Sequence, residues 1–130
     1  MNLLLDTHIA IWAVEDNPRL SEAARQLILD PAAHLFVGVV SLWEIAIKHA
    51  LGRGSEAMPM SAAEALGFFQ TSGFTTTPVK TTHVLTLESL PRHHDDPFDR
   101  LLVATALTEP YRFLTHDARL AAYGPIVTVV

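Results

Sequence analysis

The sequence predicts a single α/β domain, an α/β/α sandwich whose mainly parallel sheet has about five strands. Three observations predict it. Short continuous apolar runs, "NLLL" at 2–5 and "HLFVGVV" at 34–40, have the character of strands buried on both faces. They alternate with segments whose apolar residues recur at helical spacing, the order that builds βαβ units and a parallel sheet. The chain has 130 residues, 49% of them hydrophobic, and no internal repeat or low-complexity linker, which suits one core spanning 1–130.

The elements follow in order. "NLLLD" (2–6) reads as a strand closed by an acid, and "THIAIWAVE" (7–15) as the helix that follows at once. "LSEAARQLILD" (20–30) has helical spacing, with Ser21 as its cap and a stop before Pro31. The run 34–40 is a strand that feeds the helix "SLWEIAIKHAL", ending near Gly52. "GRGSEAMPM" (52–60) reads as a surface loop, and "SAAEALGFFQTSG" (61–73) as a helix. "FTTTPV" (74–79) is weaker strand material, since Pro78 marks an end or an edge. A short helix is expected over 81–91 and another from Pro97. "YRFLT" (111–115) is a strand, "HDARLAAYG" (116–124) a short helix and "PIVTVV" (125–130) the last strand.

Composition excludes several classes. No apolar run reaches the ~18 residues that span a bilayer. The N-terminus lacks a basic region and meets an acid at position 6, unlike a signal peptide. With no cysteine, disulfides, thiolate nucleophiles and thiolate zinc sites are excluded, and a reducing cytoplasm is the expected compartment. The formal charge of −5 argues against a broad basic face for nucleic acid. Two bound divalent cations would bring it close to neutrality and dominate the local field.

In parallel sheets, functional groups gather beyond the carboxyl ends of the strands. Four acids fall there: Asp6, Glu44, Asp99 and Asp117. Each has a purely structural reading. Asp6 can cap the next helix, and "SLWE" fits a capping box from Ser41 to Glu44. "DPFD" places Asp96 at a cap, Pro97 at N1 and Asp99 at N3, while Asp117 can cap the last short helix. Together, four like charges at one sheet edge are destabilising unless something neutralises them. Hard divalent cations do so, Mg²⁺ or Mn²⁺ above all. Such a carboxylate cluster suits phosphodiester hydrolysis, with ions roughly 3.5–4 Å apart where two are bound.

Four segments, "LLLDTHIAIW", "VSLWEIAIK", "HHDDPFDRLLVATAL" and "FLTHDARLAAYG", resemble in that order the signature segments of PIN-domain proteins, and more narrowly the VapC-type toxins of bacterial toxin–antitoxin pairs. The resemblance covers nearly the whole chain. It implies that Asp6, Glu44, Asp99 and Asp117 occupy the acidic active-site positions and that Thr115 matches a hydroxyl residue preceding the last acid. It also implies Mg²⁺- or Mn²⁺-dependent ribonuclease activity on RNA, a homodimer and a small cognate antitoxin partner.

Around that set, Asp96 is expected as a helix cap that can also act through water, and Asp95 as a solvated acid. Of the seven histidines, His93 and His94 could suggest a zinc or nickel site, but adjacent histidines on a loop seldom point at one ion. His94 or His116 could contact phosphate. Lys48, Arg100 and Arg119 either line the pocket rim and meet RNA phosphates or pair with nearby acids. Trp12, Trp43, Phe68 and Phe69 are expected in the core or an interface rather than as base-stacking platforms. Helices 7–15 and 41–51 could present an apolar groove to an antitoxin.

Two rivals remain. "LLLDTH" could open a haloacid-dehalogenase phosphatase, but that family wants an acid where His8 stands and a lysine-led segment that is missing. A PIN-like protein that binds or processes RNA without being a toxin, or that no longer cuts, is the other. The intact acids speak against a module that has lost its chemistry.

Overall fold

The structure is a computed structural model and describes residues 1–52 and 58–130. Five strands form one sheet: β1 (Asn2–Leu5), β2 (His34–Gly38), β3 (Thr75–Thr77), β4 (Arg112–Thr115) and β5 (Val127–Val129). Their order is β3-β2-β1-β4-β5 and every neighbouring pair is parallel. All carboxyl ends therefore share one edge. The chain leaves β1 first for β2 on one side and later for β4 on the other, so the crevice beside β1 is the switch point where α/β sheets place their ligands.

The helices are α1 (Thr7–Glu15), α2 (Glu22–Leu29), α3 (Val39–Leu51), α4 (Ala62–Thr71), α5 (Thr81–Ser89) and α6 (Pro97–Thr108), with a 3₁₀ segment over Ala118–Tyr123. The strand period of two divides the core into two layers. Leu3 and Leu5 of β1 join Ile9, Ile45, Ala65 and Phe69 on one face. Leu4 joins Val40, Leu102, Val103, Phe113 and Leu120 on the other. Helices thus cover both faces, as the strand pattern predicts. No helix among the described residues is long and apolar enough to cross a membrane.

Three expectations change. Helix α3 begins at Val39, with Gly38 as its cap position and no side-chain cap bond, so the Ser41–Glu44 capping box does not exist. Gly38 permits a close approach, because a Cβ there would lie 3.0 Å from Leu102 Cδ2. That contact seats α6 against the β2–α3 junction and brings its first turn, with Asp99, to the sheet edge. The segment 52–60 is not simply a surface loop, since Met58 and Met60 are buried in the first core layer. Residues 53–57 lie outside the described residues, and with them most of that loop. The final helix is of 3₁₀ type.

Candidate active site

Asp6 stands where β1 ends, and its backbone N–H donates to Leu114 O at 2.9 Å, continuing the ladder to β4. Its carboxylate makes no cap bond to α1. Instead, Oδ2 accepts a 2.6 Å hydrogen bond from the buried Thr115 hydroxyl. Burial outweighs that bond, and the Asp6 carboxyl is pushed above the usual carboxylate range.

Glu44, on the second turn of α3, is 3% exposed. The Thr7 hydroxyl lies 2.7 Å from Glu44 Oε1 and 2.8 Å from Ser41 Oγ. A hydroxyl has one proton, so Thr7 donates to the carboxylate and Ser41 donates to Thr7. Lys48 Nζ donates to Glu44 Oε2 at 2.8 Å, one turn along the same helix. Buried charge is tolerated here because both oxygens have donors.

Asp96 does cap α6: its Oδ1 accepts from the N–H groups of Phe98 and Asp99 at 2.8 and 3.1 Å. Asp99, at the third helical position, makes no such bond with its own carboxylate. Burial, then the neighbouring Asp6, Asp96, Glu44 and Asp117 charges, raise its pKa to about 8. Asp117 behaves oppositely. Arg119 donates to it through Nε, Nη2 and its backbone N–H at 3.0, 2.8 and 3.0 Å, and His94 Nε2 lies 2.9 Å from Oδ2. The Arg119 fork holds the Asp117 carboxyl well below its ordinary range. A carboxylate offers about four acceptor positions, and those of Asp117 are all taken.

His94 is buried, and its Nδ1 accepts from the Asp96 N–H at 3.0 Å. In the neutral ring the proton then sits on Nε2, which donates to Asp117. His94, Asp99 and Asp117 bring potential ligand atoms within 4.8 Å of one another. With that tautomer, His94 enters the group as a donor to Asp117 and not as a metal ligand. The His93 ring lies elsewhere, edge-on to Tyr123 at 5.1 Å, so the two adjacent histidines do not share a site.

Asp6, Glu44, Asp96, Asp99 and Asp117 line one cavity of about 190 Å³ with Lys48, His94, His116 and Arg119 at its walls. Arg100 does not line it. Its guanidinium donates to Leu87 and Leu90 carbonyls at 3.4 and 3.2 Å, where it satisfies the end of α5, so the pocket-rim expectation fails for this residue. Thr7 and Ser41 went unrecognised in the sequence. The available signal was a hydroxyl residue directly after the acid that closes β1.

The donor set fits a hard divalent cation. It is all carboxylate oxygen, Asp6 and Glu44 are buried with Asp99 and Asp117 partly so, and Asp99, its pKa raised to about 8, ionises fully at neutral pH only with added positive charge. Asp99 and Asp6 have the most open acceptor positions, Glu44 has some, and Asp117 gains one only when a donor yields.

The PIN domain family profile matches residues 3–124. The chain is 35% identical over 123 residues to the protein named Ribonuclease VapC22 of Mycobacterium tuberculosis, covering 93% of this chain and 91% of that one. Its fold is similar to a chain in the crystal structure of VapBC2 from Rickettsia felis bound to a promoter DNA fragment. There the TM-score is 0.68 at 12% identity, covering 100% of this chain and 98% of that chain. A toxin–antitoxin complex from Klebsiella pneumoniae contains a similar chain, with a TM-score of 0.63 at 16% identity and coverage of 98% and 96%. The chain belongs to the PIN-domain family.

Proposed function

We propose that the chain is a metal-dependent endoribonuclease, the toxin of a type II toxin–antitoxin pair, acting in the cytoplasm on RNA. The observation that carries the reading is the convergence of Asp6, Glu44, Asp99 and Asp117 on one cavity at the sheet's switch point. The similarity to a ribonuclease over nearly the whole chain supports it.

Asp6, Glu44 and Asp99 would hold Mg²⁺ or Mn²⁺, with Asp117 joining when Arg119 or His94 releases an oxygen. When bound, the cation supplies Lewis-acid polarisation of the phosphoryl group. The protein's own groups do the rest. Glu44, steadied by Thr7 and Lys48, orients the attacking water. Lys48 and Arg119 meet phosphate oxygens at the cavity wall, an affinity that falls with salt. Water, not the 2′-hydroxyl, is the nucleophile. It attacks phosphorus as the bond to the 3′-oxygen breaks, and the products carry a 5′-phosphate and a 3′-hydroxyl.

Partners follow from the same reading. A cognate antitoxin is expected. So is a homodimer, for which α3 offers a stripe at helical i,i+4 spacing: Val39, Trp43, Ile47 and Leu51 are 43%, 58%, 40% and 61% exposed. End-group analysis of cleaved RNA tests the chemistry, since a 2′,3′-cyclic phosphate would contradict it. Induction in a bacterial host tests the role. Wild type arrests growth and Asp99→Asn does not; unimpaired growth with active wild type points to RNA processing instead.

A further inference from the structure

A second cavity, about 570 Å³, adjoins the acidic one. His8 lines both, and His116, on the wall of the acidic cavity, packs at a tilt against Trp12 and edge-on to His8. The ring of Trp12 lies 4.8 Å from that of His116 and 6.0 Å from that of His8, and the two histidine rings are 5.9 Å apart. The three rings, tilted by 53–74° to one another, form an aromatic cluster on the lip between the cavities. Beyond it the larger cavity is bounded by Met58 and Trp12 on its apolar side and by Glu15, Asn17 and Arg19 on its polar side. Its volume falls in the range of pockets for small organic groups, about 300–1,000 Å³.

We infer that this cavity is a nucleobase subsite, which receives the base next to the scissile phosphate and sets the cleavage-site preference. The inference deepens the ribonuclease reading and rests on it. A base presents apolar faces and a polar edge, and the cavity presents the complement. Trp12, His8 and His116 offer π-faces, which single-stranded RNA uses for stacking whatever the sequence. The polar edge supplies selection. Asn17 Oδ1 accepts from the Arg19 N–H at 2.9 Å and Asn17 Nδ2 donates to Glu15 Oε1 at 3.2 Å. Among the described residues, Glu15 Oε2 accepts no hydrogen bond. A carboxylate oxygen at this edge favours a base with an exocyclic amino group (adenine, cytosine or guanine) over uracil, whose single N3–H is flanked by two carbonyl oxygens that a carboxylate repels. Arg19, whose guanidinium has no partner among the described residues, is placed for the next phosphate along the strand. The polar edge and the continuity with the acidic cavity favour RNA over the apolar face of a peptide helix, which wants an unbroken greasy groove.

The test maps cleavage sites on a randomised RNA with wild type, Trp12→Phe, Trp12→Ala and Glu15→Gln. Trp12→Ala should raise KM about tenfold and blur the preference, while Trp12→Phe, which keeps a ring, should retain both. Glu15 is exposed, so Glu15→Gln tests the edge without disturbing the core. It should raise cleavage beside uracil relative to the amino bases several-fold. In Trp43→Phe protein, where Trp12 is the only tryptophan, nucleoside 5′-monophosphates with Mg²⁺ should quench its fluorescence, uridine least. Wild type that cuts no RNA removes the underlying reading. Wild type that cuts, with Trp12→Ala and Glu15→Gln keeping its site preference and KM, overturns the subsite alone. Variants that lose only antitoxin binding overturn it too, and assign the cavity to a protein partner.

Discussion

Thr115 and Asp6, 109 residues apart in the chain, share a buried 2.6 Å hydrogen bond across the β1–β4 pair. The same hydroxyl accepts from the Asp117 N–H at 3.0 Å. One side chain thus holds one acid directly and sets the backbone of a second, and its burial leaves no water to replace it.

Removing that hydroxyl should be costly in both stability and activity. Thr115→Val keeps the shape but leaves the Asp6 oxygen without its donor, a loss of about 1–3 kcal/mol. Thr115→Ser keeps the donor and should recover most of it. Urea unfolding of both variants checks this; equal midpoints for Val and Ser would show that the bond contributes nothing.

Asp99 makes the metal-free protein pH-sensitive in an unusual direction. The unfolded chain releases this proton near the ordinary value of 3.8, whereas the folded protein releases it only at about 8. Between those values the folded state binds more protons, so stability is complete below the lower value and is lost as pH rises toward the upper. Asp6, also raised by burial, acts in the same direction. Asp117, held low by Arg119, loses its contribution only in acid below 3.8. Tm of chelator-treated protein should therefore be lower at pH 8 than at about pH 5. Asp99→Asn should flatten the difference, and Mg²⁺ should restore the wild type at pH 8. A wild type that gains stability toward pH 8 without metal would contradict the electrostatics of the pocket.

Arg119 competes with any cation for Asp117. Its guanidinium is largely exposed and screened by solvent, so the fork is a weak holder. Arg119→Gln should tighten Mg²⁺ binding by roughly two- to fivefold in calorimetry. Arg119→Lys keeps the charge and removes the two-pronged geometry, so it separates competition for lone pairs from simple repulsion. Unchanged affinity in both would mean that Asp117 never needs a free oxygen.

Much of the fold was legible because parallel strands buried on both faces are written as continuous apolar runs. NLLL and HLFVGVV carry that signal, and helical spacing between them implies crossovers. The start of α3 was not legible. Val39 and Val40 favour strands, yet Val40 packs in the second core layer against α6, and tertiary burial overrides the preference. Met58 and Met60 sit among loop-forming Gly and Pro residues, and nothing local marks them as core. The acids were legible from their places after strands, but their partners were not. Thr7 meets Glu44 across 37 positions and His94 meets Asp117 across 23, contacts that only the packed chain creates. Arg100 misled because adjacency to Asp99 in sequence puts the two side chains on different faces of α6, and its guanidinium goes to α5.

The central claim is that these acids hold metal for RNA cleavage and are not helix caps or core supports. Cleavage of total bacterial RNA with Mg²⁺ or Mn²⁺ by wild type, Asp6→Asn and Glu44→Gln tests it most directly. Each replacement keeps an oxygen for Thr115 or Thr7 to bond and removes the charge, and Glu44→Gln also removes the acceptor of Lys48. The account predicts that wild type cuts only with divalent cation and that both variants fold and do not cut. If all three cut alike, the carboxylates are not the catalytic machinery and the ribonuclease reading of this cavity is wrong.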